Sequence, residues 1–188
     1  VSGRCHARCS TVRVSETAPY FESETAKERD LSEFDVVWLR KDPPFDIDYV
    51  FSTYMLDLVD DTTMVLNNPA SIRDANEKMV ALRFPHLVPP TLVTQDVDRA
   101  LRWISEAPAK VVLKPWDGNG GRGVLVSEAG DRNLRSMLEL LTEEGRTHIL
   151  IQQYIPEIKH GDKRIILIDG EARGWMNRVP GKDDHRGN

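Results

Sequence analysis

Cysteine is scarce in this sequence: Cys5 and Cys9 are the two in 188 residues. Two thiols cannot build a disulfide framework, which makes a reducing cytosol the expected compartment. No apolar run approaches the roughly 18 residues of a membrane-spanning helix, and the opening residues carry no signal-peptide pattern. Positive charge is not in excess either. Twenty-five Lys and Arg against 30 Asp and Glu leave a formal net charge of −5, which argues against a general nucleic-acid or acidic-membrane surface. Internal repeats and low-complexity tracts are absent. The five histidines are scattered, so no Ser/His/Asp or Cys/His pairing is defensible, and Cys5, His6 and Cys9 lack the fourth ligand of a zinc site. The sequence also lacks an opening methionine and stops directly after a strand-like stretch, so it reads as a piece cut from something longer.

What is present suffices for a sizeable core: 40% hydrophobic and 29% charged residues, enough for one large or two small domains. Residues 1 to 33 are polar and weakly patterned, with no defensible element. "FDVVWLRK", Phe34 to Lys41, reads as a buried strand, followed by a Pro43–Pro44 loop and a helical stretch over 47 to 59. "TMVLNNP" gives a short strand, and a domain boundary is expected near residue 70. Ser71 then reads as the cap of a helix with apolar positions Ile72, Ala75, Met79 and Leu82, ended by Pro85. Beyond it the pattern predicts strands at "PTLV", "KVVLKP", "GVLVSE" and "THILIQQYI", with helices around Leu101 and Leu138. Two last strand-like runs are joined by Asp169-Gly170, a hairpin signal.

The stretch "KPWDGNGGRGV" is the most informative. Four of the seven residues from Asp117 to Gly123 are glycine, and Lys114 precedes them by three positions. Gly118, Gly120 and Gly123 fit G-x-G-x-x-G, but a dinucleotide loop must open a helix, and Val124, Leu125 and Val126 favour a strand. The Gly-Lys-Ser/Thr of a P-loop is missing, as is the His-Arg-Asp of protein kinases. A strand–glycine loop–strand flap remains, whose bare N–H groups could fold over phosphates; a mobile hairpin tip without a ligand is the plain alternative. Lys114 inside an apolar run needs an anionic partner or an escape to water. Lys78 flanks the stripe of the preceding helix. Two lysines with the loop suggest one phosphate cleft, although either alone could be a snorkelling side chain. "QQYI", residues 152 to 155, ends a strand where exposed backbone could meet a purine edge, or is an ordinary strand end. Arg164 alternates with Ile166 and Ile168, a pattern of a site wall rather than a core.

Taken in order, "RKDPPFD", "NEK", "LKPWDGNGGRGV", "QQYIPEIKHGDKRIILIDGE" and "RGN" resemble prokaryotic-type glutathione synthetase, one of the ATP-grasp ligases, over residues 34 to 188. The resemblance implies an α/β (α+β) architecture: residues 1–70 as the C-terminal part of a Rossmann-like substrate-side domain, and 71–188 as an ATP-grasp domain incomplete at its C-terminus. It implies ligation of γ-glutamylcysteine to glycine through an acyl phosphate, with ATP and Mg2+, in a cytoplasmic homotetramer. By match of position, Lys78 and Lys114 would hold phosphates under the flap formed by Asp117, Gly118, Gly120, Gly121 and Gly123. Gln152, Gln153, Tyr154 and Ile155 would line the adenine pocket. Arg164 and Arg186 would serve the transferred phosphoryl group or the substrate carboxylate. Arg40, Asp42, Arg186 and Asn188 would bind substrate. The loop departs from the usual one at Trp116 and Asn119. The magnesium ligands are expected beyond Asn188, with Asp183 and Asp184 read as a solvated loop, so this 188-residue piece is expected to be inactive by itself. Another ATP-grasp carboxylate–amine ligase and a non-catalytic nucleotide-binding module remain as alternatives.

Overall fold

The computed structural model describes residues 3–40, 45–118 and 120–180. The chain divides into two compact units between Val80 and Ala81.

The first unit opens on four short strands, where the sequence offered no defensible element. β1 (His6–Cys9) pairs antiparallel with β4 (Lys27–Asp30), and the hairpin of β2 (Val12–Val14) and β3 (Phe21–Ser23) lies between them in sequence. Strands of three or four residues, mostly exposed, leave too few alternating positions to register as a pattern. Cys5, Ala7 and Cys9, at period two, turn inward to a small core with Leu31, Leu56, Phe34, Val37 and Val65. β5 (Val36–Trp38) runs parallel to β6 (Met64–Leu66), connected through α1 (Ile47–Leu56), which is a βαβ unit. β5 is shorter and more open than expected of a buried strand: Val36 and Trp38 are exposed, and among the described residues β6 is the one strand paired with β5.

The expected long helix from Ser71 is replaced by a shorter one. α2 (Pro69–Asp74) begins with Pro69 at its first turn, and the Asn68 side chain accepts from Ser71 N–H, so Asn68 is the cap. It ends at Ala75 because the Asn76 carboxamide accepts from the N–H groups of Lys78 and Met79, drawing the backbone out of the helical ladder. Residues Val80–Arg83 form a separate 3-10 turn.

The second unit is built on an antiparallel sheet of order β7 (Thr91–Thr94), β10 (Ile149–Gln153), β8 (Val111–Pro115) and β9 (Leu125–Ser127). α3 (Val97–Ser105) follows β7 and is capped by Asp96, whose carboxylate accepts from Arg99 N–H. α4 (Leu134–Leu141) precedes β10. Ala100, Ile104, Leu134 and Leu138 of the helices pack on Leu92, Val111, Leu113, Ile149 and Ile151 of the sheet. Val111 and Leu113 are two apart, as are Ile149 and Ile151, and Leu92 stands opposite Ile151, so all five share one face. The last two strands, β11 (Asp162–Ile168) and β12 (Glu171–Arg178), make the expected hairpin. Asp169 and Gly170 both adopt positive φ, as a two-residue turn of this hand requires. A two-pronged contact from Arg178 to Asp162, at 2.7 and 2.6 Å, closes its base.

Candidate functional site

Alternation along the four-stranded sheet assigns the second face. While Leu113, Ile149 and Ile151 point toward the helices, Thr91, Val112, Lys114, Leu150 and Gln152 point away from them. Gln152 stands directly opposite Thr91 on one side and Val112 on the other, and Lys114 stands opposite Leu150, one pleat along. Lys114 and Gln152 therefore meet diagonally, and the Lys114 Nζ donates to Gln152 Oε1 at 2.6 Å. Gln152 Nε2 donates in turn to Thr91 Oγ1 at 2.9 Å, and that hydroxyl donates to the Pro89 carbonyl at 2.7 Å. The lysine expected to need a partner or an escape to water is half-buried and hydrogen-bonded.

β8 and β9 are antiparallel with the glycine segment between them, the strand–loop–strand arrangement read from the sequence. The loop folds back over the Pro115 ring. A Cβ on Gly118 would lie 2.5 Å from Pro115 Cγ and 2.9 Å from the Arg122 carbonyl, so no larger residue fits without a shift. Gly123 is less crowded but still tight, with a Cβ at 3.1 Å from the same ring atom and φ of +70°. Gly120 and Gly121 also have positive φ. The bare backbone thus has a steric purpose as well as offering N–H groups: it seats the loop on the residue directly after Lys114. Asp117 lies in this loop, and Asn119 lies outside the described residues.

Further along β10 the backbone is less open than the sequence suggested. Gln153 N–H donates to the Pro90 carbonyl at 3.0 Å and Tyr154 N–H to the Lys110 carbonyl at 2.8 Å. Pro90 has no N–H with which to return the bond, so the Gln153 carbonyl has no ladder partner on that strand. Ile155 is exposed and leads into a 3-10 turn, Pro156–His160.

Arg164 is on β11, exposed, opposite Met176. Lys78 is in the first unit, outside any helix, where the sequence placed it beside a helical stripe. Its side chain is 16% exposed and its ammonium contacts the Glu77 carboxylate at 3.0 Å. Arg40 is also in the first unit, with its guanidinium 5.5 Å from the centre of the Trp38 ring. Asp42, Arg186 and Asn188 lie outside the described residues, as do Asp183 and Asp184. The structure therefore brings together Lys114, Gln152 and the root of the glycine loop. Sequence reasoning missed Thr91, Pro89 and Pro115, the residues that hold this group in place; the "PPT" run was a signal for a stiff strand entrance but gave no partner.

An antiparallel sheet backed by helices on one face, with a lysine on its other face and a glycine loop joining two of its strands, is the arrangement of the ATP-grasp class. Two solved structures share this fold: D-cycloserine synthetase DcsG, with a TM-score of 0.59 at 22% identity over 80% of this chain and 54% of that one, and a RimK domain protein ATP-grasp from Sphaerobacter thermophilus, with 0.58 at 24% identity over 77% and 55%. Within that class, the family model described as "Prokaryotic glutathione synthetase, ATP-grasp domain" matches residues 77–188, and its N-terminal domain counterpart matches 1–73. The chain belongs to the prokaryotic glutathione synthetase family. It is 49% identical to the glutathione synthetase of Thermosynechococcus vestitus over 90% of its own length and 54% of that protein. It is 42% identical to that of Pseudomonas syringae pv. tomato over 100% and 59%. The chain spans just over half the length of the curated relatives it matches.

Proposed function

We propose that the protein carrying this chain is a glutathione synthase, an ATP-dependent ligase joining γ-glutamylcysteine to glycine. Family matches over both parts of the chain support this reaction, and the observation that carries the local assignment is the Lys114–Gln152 pair at the root of the glycine flap. The γ-phosphoryl group of ATP passes to the dipeptide's terminal carboxylate and ADP leaves. Glycine's amine then attacks the acyl carbon, a C–N bond forms, the amine gives up a proton and phosphate departs.

The residues supply positioning and charge. Lys114 and Lys78 are assigned to phosphate oxygens, and Asp117, Gly118, Gly120, Gly121 and Gly123 to the flap that covers them. The Gln153 carbonyl, which has no return bond from Pro90, accepts from an exocyclic amine such as adenine's, beside Tyr154 and Ile155. Arg164, with Arg186, is assigned to the transferred phosphoryl group. Arg40, Asp42 and Asn188 are assigned to substrate. The part up to residue 70 belongs to the substrate side and the part from 71 to the nucleotide side. Magnesium accompanies ATP in the family resemblance; among the described residues no cluster of three or more His, Cys, Asp or Glu could hold a metal ion. Cys5 and Cys9 are free thiols, which accords with a cytoplasmic setting, and no helix of the described residues is long and apolar enough to cross a membrane. Sedimentation tests the homotetramer that the resemblance implies.

ADP release from ATP and magnesium, with γ-glutamylcysteine and glycine omitted in turn, tests the reading. Release that needs both substrates supports it. Nucleotide binding without turnover on either substrate keeps the ATP-grasp site and removes this ligase.

A further inference from the structure

We propose that Thr91 is a positioning residue of the nucleotide site: its hydroxyl fixes the side-chain amide of Gln152 so that the amide oxygen is presented to Lys114. The inference rests on the reading of Lys114 as a phosphate-binding residue. Four groups on three strands form a chain of hydrogen bonds in which each donates to the next, from Lys114 to Gln152 to Thr91 to the Pro89 carbonyl. The direction is dictated chemically. An ammonium has donors alone, so the atom of Gln152 that faces it must be the oxygen. A hydroxyl has one proton, and that of Thr91 goes to the Pro89 carbonyl, so toward Gln152 it can only accept. The flipped amide would set an NH2 group against the ammonium and an oxygen against an oxygen whose proton is already committed.

The far end of the chain is stiff. The Pro89 carbonyl is held between two proline rings, Pro89 and Pro90, whose φ angles are fixed, and Pro90 accepts from Gln153 N–H. Thr91 and Gln152 are register partners, so their separation is set by the ladder itself. The flexible end is Lys114, a four-carbon stem with a rotatable ammonium. Anchoring its head to an amide oxygen that is anchored in turn orders the lysine before an anion arrives. Because that oxygen is neutral, this bond orders the ammonium without itself cancelling its charge, as an Asp or Glu at the same place would.

The test is ATP affinity by calorimetry in the full-length protein. Thr91→Val keeps the β-branched shape and removes the hydroxyl, and is expected to weaken ATP binding roughly 2- to 12-fold; Thr91→Ser keeps the hydroxyl and is expected to stay within about twofold of the parent. The same Thr91→Val change made on top of Lys114→Ala is expected to add nothing, because its effect passes through the lysine. A merely structural role would add the same loss in both backgrounds, and that result, or unchanged affinity in Thr91→Val, overturns the proposal. If Thr91→Val does not fold, the side-chain amide protons of Gln152 in the unaltered protein decide: two resolved, exchange-protected NMR signals support the lock, and averaged, unprotected ones overturn it. If the unaltered protein binds no ATP, or Lys114→Ala binds it equally well, the site reading itself fails and the proposal falls with it.

Discussion

The ammonium of Lys114 lies 2.6 Å from the side-chain oxygen of Gln152, across neighbouring strands and on the sheet face turned away from the helices. The two residues are 38 positions apart in the chain, and their contact is made by register alone. A charged hydrogen bond contributes about 1.5–3 kcal/mol. Lys114→Ala is therefore expected to weaken ATP binding roughly 10- to 150-fold, read by calorimetric titration. Unchanged affinity removes Lys114 from the site.

Two glycines separate loop geometry from general tolerance. Gly118→Ala would place its methyl 2.5 Å from the Pro115 ring, whereas a methyl on Gly174 meets nothing within 4 Å. Strain of at least about 1 kcal/mol is expected in the first case, reducing ATP affinity about fivefold or more. Gly174→Ala, measured side by side, is expected to leave both affinity and melting temperature unchanged.

Ile151 is fully buried in β10 against the helix layer. Ile151→Ala removes methyl groups that the sheet and helices cannot collapse to replace, with an expected loss of about 2–5 kcal/mol in urea unfolding. A loss below about 1 kcal/mol would mean that the packing of this face is not what holds the unit.

Acid should loosen the fold through three carboxylates. Asp30 is held below the usual carboxylate range chiefly by the Ser32 N–H, Asp60 by the Thr62 N–H and hydroxyl, and Asp131 by the Asn133 N–H and then the Ser127 hydroxyl. A depressed folded value means that the stabilisation is complete above the unfolded value of about 3.9 and is lost as pH falls through the folded one. The melting temperature is expected to hold from pH 7 to 5 and to fall below about pH 4. Asp131→Asn should flatten part of that fall; an identical profile in the variant would exclude Asp131 as a contributor.

Much of the second unit was legible because its strands alternate and its turns are marked. Leu92, Leu113 and Ile151 announce a buried face, and Asp169-Gly170 announces a hairpin whose two positive φ angles the structure bears out. The helix expected from Ser71 failed for a local reason: apolar spacing is blind to a side chain such as Asn76, which captures the backbone N–H groups the helix would need. The strands before residue 33 were invisible because three exposed residues carry no period. At the candidate site, lysine and glycines were legible by residue type. Thr91 was not, since its role exists through pairing with a residue 61 positions away, and one sequence does not state a register.

The alternation of β10 has a consequence for assembly fidelity. Ile149 and Ile151 lock into the helix layer while Gln152 takes its place beside Lys114 and Thr91. A slip of one residue would exchange these roles, driving a carboxamide into a dry interior and turning isoleucine outward. Such a slip would cost the chain packing and site together, so mispairing of this strand would weaken the fold as well as the function.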